Sequence, residues 1–178
     1  MNNTIYLAGG CFWGVQKYLK LIGGVLATEV GFANGQTRNP SYKEVYTDAT
    51  GHAETVRVEY DGDVLSLEDL VRFFFKAIDP VSLNRQGEDC GTRYRTGVYY
   101  TDECERETIM KVFGEVEKEI GAPLAVECLP LDCFYPAEEY HQDYLDKNPQ
   151  GYCHLKPELF EYAKLLGSAS SSAPVEKA

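Results

Sequence analysis

The sequence predicts an α/β fold, more closely an α+β two-layer sandwich in which one mixed, ferredoxin-like β-sheet is covered by helices. Three observations predict it. Short β-branched or alternating runs recur along the chain, amphipathic segments of helical period lie between most of them, and turn or cap residues stand at the junctions. At 178 residues the chain is long enough for one domain that buries about 70% of the surface its unfolded form would expose, with no need of disulfide or metal support.

Ile5-Tyr6-Leu7-Ala8 is short, apolar and followed by Gly9-Gly10, which predicts a buried strand ending in a tight turn. Val15 to Leu21 reads as helix. Val25 to Phe32 is rich in β-branched and apolar residues and stops at Asn34-Gly35, a strand closed by a turn. Gln36 to Tyr46 is polar and turn-rich, and is expected to be irregular. From Glu54 to Tyr60 the chain alternates, with Val56, Val58 and Tyr60 on one face and Thr55, Arg57 and Glu59 on the other, until Asp61-Gly62 ends the strand. Ser66 with Asp69 is a helix-start signal, and Leu67, Leu70, Val71, Phe74, Phe75 and Ile78 continue at helical spacing to Asp79-Pro80. Val81 to Arg95 carries turn residues and mixed charge. Thr96 to Tyr100 is strand-like and leads into Asp102 with Glu105, a second helix start. Ile109, Val112, Phe113, Val116 and Ile120 supply that helix's buried stripe, and Gly121 its stop. Val126 to Leu131 predicts a further strand, and Pro136 opens a helix through about Leu145 that Asn148-Pro149 ends. Residues 1–167 are thus expected to form a single catalytic domain, and residues 168–178 a disordered Ser/Ala-rich tail.

Seventeen Lys and Arg against 28 Asp and Glu give a net charge of −11. That balance repels phosphate backbones and anionic lipid, so neither nucleic acid nor a membrane is expected as a partner. No apolar run approaches the roughly 20 residues of a membrane span, and the N-terminus lacks the basic flank and long apolar core of a signal peptide. The six cysteines are irregularly spaced, which in so long a chain suggests thiols held for chemistry in a reducing cytoplasm.

The most informative stretch is Gly10-Cys11-Phe12-Trp13-Gly14, a thiol between glycines, beside the only tryptophan, where strand gives way to helix. Free backbone N–H groups and the positive end of the helix dipole would favour thiolate over thiol there, so Cys11 is expected to be exposed and activated. His52-Ala53-Glu54 matches the H-x-E half of a zinc-deaminase signature, but the chain has no C-x-x-C to complete it. Cys128, Cys133, His141, Cys153 and His154 make only a loose zinc pattern, and Glu138-x-x-His141 is one copy of a motif that a di-iron site needs twice. His52 is the best of three histidines for a Cys-His hydrolase. Tyr42, Tyr94 and Tyr135 lie among charged loops and could donate hydroxyls into a pocket floored by Phe12 and Trp13.

Taken together the motifs resemble those of the A-type methionine sulfoxide reductase family. The likeness covers most of the chain: the Cys11 pentapeptide, Asn39-Pro40-Ser41-Tyr42, Thr50 to Glu54, Gly91-Thr92-Arg93-Tyr94-Arg95, Phe134 to Gln142, and Asn148 to Cys153. The resemblance implies that Cys11 is the nucleophile, Glu54 the acid, Tyr42, Tyr94 and Asp89 the polar lining, and Phe12 with Trp13 the cage for the substrate methyl group. It implies methionine S-sulfoxide, free or in proteins, as substrate, and Cys153 as the thiol that resolves a Cys11 sulfenic acid into a disulfide. Thioredoxin or a similar dithiol would reduce that disulfide. No metal or organic cofactor is required, and the enzyme is expected as a monomer. Chemistry supports these roles separately: sulfoxide oxygen must gain protons before it can leave, so Glu54 must stay neutral, with its pKa raised from about 4.3 by an apolar pocket. Many members carry another cysteine beyond the first resolving one. This chain has none after Cys153, which predicts a two-cysteine cycle, with Cys90, beside Asp89, as a spectator or rival resolver. Cys104, Cys128 and Cys133 are expected to be inert packing residues.

Overall fold

The computed structural model describes residues 1–171. In chain order its elements are β1 (Asn2–Gly9), α1 (Phe12–Lys20), β2 (Val25–Ala33), α2 (Tyr42–Tyr46), β3 (Ala53–Asp61), α3 (Leu67–Phe75), β4 (Arg85–Gln86), β5 (Asp89–Cys90), β6 (Thr96–Tyr100), α4 (Cys104–Ile120), β7 (Glu127–Pro130), β8 (Phe134–Pro136), α5 (Tyr144–Lys147) and α6 (Pro157–Ser171). Short 3₁₀ turns at Thr92–Tyr94 and Glu139–His141 join some of these. The main sheet runs β7-β6-β1-β3-β2-β8, and β4 with β5 makes a separate small hairpin. Every neighbouring pair in the main sheet is antiparallel except β6 with β7. Its centre, β6-β1-β3-β2 with α1 and α3 as crossovers, is an antiparallel β-α-β-β-α-β unit of ferredoxin-like order, and the parallel β7 makes the whole sheet mixed, as predicted above.

The alternation in β1, β3 and β6 decides which face is covered. Ile5, Leu7, Val56, Val58, Tyr60, Val98 and Tyr100 point into one core with Val15, Tyr18 and Leu19 of α1, Leu70, Val71 and Phe74 of α3, and Ile109 and Val112 of α4. Ala8, Ala33, Ala53 and Tyr99 point the other way and pack under Tyr6, Leu131 and Phe134. The sheet is therefore two-sided at its functional end, where the β7–β8 connection covers the second face. Because β3 and β6 run antiparallel to β1, the C-terminal end of β1 meets the N-terminal ends of both. That edge carries the site.

Four expectations are corrected. Gln36 to Tyr46 is not wholly irregular: Ser41 accepts from the Glu44 amide and Glu44 returns a bond to the Ser41 amide, a capping box that starts α2. The helix expected from Pro136 to Leu145 does not form. Pro136 instead ends β8 opposite Gly31. The Gln142 side chain accepts from Val30 N–H and donates to the Val30 and Ala137 carbonyls, and Asp143 adopts a left-handed φ of 52° that breaks any continuing helix. Ile120, placed in the buried stripe of α4, lies at its exposed last turn, just before Gly121 stops the helix at φ 76°. Finally, α6 runs to Ser171, four residues into the stretch expected as a tail; residues 172–178 lie outside the described residues.

Candidate active site

Cys11 is the N-cap of α1, and its side chain makes no capping bond, so the sulfur is not spent on the helix. The turn that presents it depends on Gly10: its φ is +88°, and a Cβ there would stand 2.8 Å from Cβ of Gln86. The freed amides of the first turn face inward. Phe12 N–H donates to Oε1 of Glu54 at 3.1 Å, and the Trp13 amide favours the Cys11 thiolate electrostatically. Glu54 reaches this position because it is the second residue of β3 and shares the Val56 face, beneath the start of α1.

The expectation that Cys11 is exposed and activated is not met. Its exposure is 5%, and burial, then the charge of Glu54, push its thiol well up, against a smaller lowering by the Trp13 amide. The helix N-terminus is present but is outweighed by desolvation. Glu54 is itself buried at 1% exposure. Burial raises its carboxyl to about 8, against smaller lowering by the Phe12 amide and Arg93. A carboxyl of that pKa is neutral at pH 7, so the charge that would oppose a Cys11 thiolate is then absent. Its Oε2 is buried with no protein partner, free to carry the proton toward a ligand.

An aromatic wall adjoins the thiol. Trp13 is held flat on Tyr144, with ring centroids 3.8 Å apart at 13°, and its indole N–H donates to Nδ1 of His141 at 3.0 Å. Phe12 is buried against Phe32, Tyr42 and His141. Tyr42 opens α2 and Tyr94 ends the 3₁₀ turn before β6. Burial first, and Glu54 next, push both phenols far up, so both hydroxyls keep their protons and remain donors. Asp89, in β5, accepts from the Tyr152 hydroxyl at 3.0 Å while its Oδ2 is buried without a protein partner. Tyr135 stands edge-on to His52 instead of joining this wall.

All six cysteines are free. Cys153 is half-buried, with its thiol raised by burial, and it packs on the first turn of α1: a methyl group at Gly14 would stand 2.9 Å from its Sγ. Cys90 is exposed on the small hairpin. Cys104 is also exposed, at the start of α4, so it is not the packing residue expected. Gly14→Ala is therefore expected to slow disulfide formation between Cys11 and Cys153 several-fold while leaving the thiols' total count unchanged, read as the rate of thiol loss after one oxidative turnover.

The rival constellations do not assemble around Cys11. His52 is buried, accepting from Gly35 N–H at Nδ1 and facing the Thr37 carbonyl at 2.8 Å with Nε2, so both ring nitrogens serve the 35–37 turn. Among the described residues no three His, Cys, Asp or Glu side chains cluster as a metal site. The sequence offered His141 only in loose metal patterns and gave Tyr144 and Tyr152 no role. His141 must accept from Trp13 at Nδ1, which fixes its neutral Nε2–H tautomer, and burial lowers its pKa accordingly. The only signal for these residues was the crowding of Tyr and His from 140 to 154, which does not say what they face.

A family profile described as peptide methionine sulfoxide reductase matches residues 3–168. The curated peptide methionine sulfoxide reductase MsrA of Lachnoclostridium phytofermentans is 55% identical over 164 residues, spanning 92% of this chain and 99% of that protein. Among solved structures, Mxr1 from Saccharomyces cerevisiae in reduced form is 38% identical with a TM-score of 0.83, covering 87% of this chain and 91% of that one. Mxr1 in complex with Trx2 is 26% identical over its aligned part, with a TM-score of 0.57, covering 80% and 84%.

Proposed function

The chain belongs to the peptide methionine sulfoxide reductase family, and from that premise we propose that it reduces the S epimer of methionine sulfoxide, free or in polypeptides, with Cys11 as nucleophile and Glu54 as acid. The observation that carries the reading is the Phe12 amide, which ties a buried neutral carboxyl to the turn that holds the thiol. Phe12 and Trp13 cage the methyl group, and the Tyr42 and Tyr94 hydroxyls with Oε2 of Glu54 hold the oxygen.

The chemistry then balances. The Cys11 sulfur attacks the sulfoxide sulfur while Glu54 protonates its oxygen, and the thiol proton returns to Glu54. The hydroxyl then passes from the substrate sulfur to the Cys11 sulfur as the substrate S–O bond and the newly formed S–S bond break, so the thioether leaves and Cys11 holds the oxygen as a sulfenic acid. The raised Cys11 pKa fits this order: thiolate need not stand ready beforehand, because proton transfer accompanies substrate arrival. Cys153 attacks the sulfenic sulfur, water leaves, and a dithiol reduces the Cys11–Cys153 disulfide by exchange. The yeast relative's complex with Trx2 supports a thioredoxin as that dithiol. Among the described residues no helix is long and apolar enough to cross a membrane, and we assign the cycle to the reducing cytoplasm.

Reduced protein given the two epimers of a methionine sulfoxide peptide with a dithiol is expected to consume S and spare R, and Cys11→Ser to consume neither. Turnover by that variant, or preference for R, would overturn the assignment.

A further inference from the structure

Beside the aromatic wall lies a cleft of about 420 Å³ lined by Tyr42, Lys43, Tyr46 and Tyr140. Tyr42 belongs to both places. Its ring lies 6.5 Å from Trp13 and 4.2 Å from His141 on the site's side, and 6.0 Å from Tyr46 on the cleft's side. The cleft thus shares the Tyr42 ring with the aromatic wall beside Cys11.

Its two outer rings are exposed yet held in place. Tyr46 is 55% exposed, but the Arg93 guanidinium lies over its ring at 4.3 Å and over the Tyr94 ring at 4.3 Å. That guanidinium is pinned in turn by Asp48 at 2.6 Å. Tyr140 is 57% exposed, its hydroxyl donates to Glu138 at 2.9 Å and its ring sits 4.1 Å from His141. Rings that are ordered before a ligand arrives offer apolar area without an ordering cost at binding, as recognition surfaces do. Neither Tyr46 nor Tyr140 is needed for the oxygen-transfer steps above, so their exposure calls for another account.

We propose that this cleft is a subsite for the residues flanking the oxidised methionine in an unfolded polypeptide, and that it selects aromatic or large apolar side chains there. The proposal rests on the reductase reading. A neighbouring residue lies about 3.3–3.6 Å along an extended chain, so a flanking side chain reaches past Tyr42 while the sulfoxide is seated at Cys11. The occupant is polypeptide, because free methionine sulfoxide has no flanking side chain to place.

The test compares kcat/KM for three peptides that carry the S-sulfoxide between two Gly, two Phe or two Glu residues. The Phe peptide is expected to exceed the Gly peptide roughly tenfold, a difference of about 1.4 kcal/mol. In Tyr46→Ala and Tyr140→Ala the Phe-to-Gly ratio is expected to fall toward unity, and in Tyr46→Phe and Tyr140→Phe to persist. Equal rates for the Phe and Gly peptides in the unaltered enzyme, a preference for Glu that would mark Lys43 as the recognising group, or an unchanged ratio in both alanine variants would overturn the subsite alone. Failure to reduce any of the three overturns the reductase reading, and the subsite with it.

Discussion

Glu54→Gln is expected to lower kcat/KM for methionine S-sulfoxide by about 10²–10⁴-fold, the span that positioned general acids contribute, while making the folded protein more stable above about pH 5. Both effects have one cause. Burial raises the native carboxyl to about 8 from an ordinary value of 4.5, so the folded chain keeps a proton that the unfolded chain releases. Between those values the unfolded state binds fewer protons, and stability falls as pH rises. The contribution is fully present below about 4.5, is lost on the way to about 8, and changes no further beyond it. Gln keeps the Oε1 that accepts from Phe12 N–H but has no proton to lose, so the melting-temperature difference between the two proteins should widen through that window and level off above it. The acid function is lost for the same reason, since an amide cannot protonate the leaving oxygen. In the unaltered enzyme the single-turnover rate should fall as pH rises past the carboxyl's titration. A Gln variant that turns over normally would remove Glu54 from the reaction.

Cys153→Ser is expected to reduce about one equivalent of substrate and then stall with a thioredoxin system, because the sulfenic acid on Cys11 has no neighbouring thiol to displace its oxygen. The first turnover survives, since Cys153 enters only after the thioether has left. Small dithiols can still reach the sulfenic acid and should restore part of the turnover. Their access is limited by the 5% exposure of Cys11. Sustained recycling through thioredoxin in this variant would point to Cys90, which is exposed and adjoins Asp89.

Much of this was legible in the sequence, for reasons that differ by element. The β-branched alternation of β3, the Ser66 cap of α3 and the Gly121 stop of α4 are local signals, and local structure follows them. The segment from Pro136 to Leu145 misled because its helical spacing is overridden from a distance: β8 pairs with β2, and Gln142 binds the backbone of Val30 across 112 residues of chain. At the site, Cys11 and Glu54 were readable as residue types, but the protonation state of the thiol was not. The helix terminus that argued for a thiolate is a local feature, whereas the burial that outweighs it comes from tertiary packing. The clamp on Trp13 by His141 and Tyr144 was illegible for the same reason, since nothing near Trp13 in the chain announces residues 128 and 131 positions away.

The central claim is that the Cys11 sulfur takes the oxygen from the substrate. Its most direct test mixes reduced Cys153→Ser protein with one equivalent of S-sulfoxide peptide, traps sulfenic acid with a dimedone-type reagent, and maps the adduct by peptide mass spectrometry. The adduct is predicted on Cys11, matched by an equal amount of reduced methionine. Reduced methionine with an unmodified Cys11, or with the adduct on Cys90 or another thiol, would contradict it.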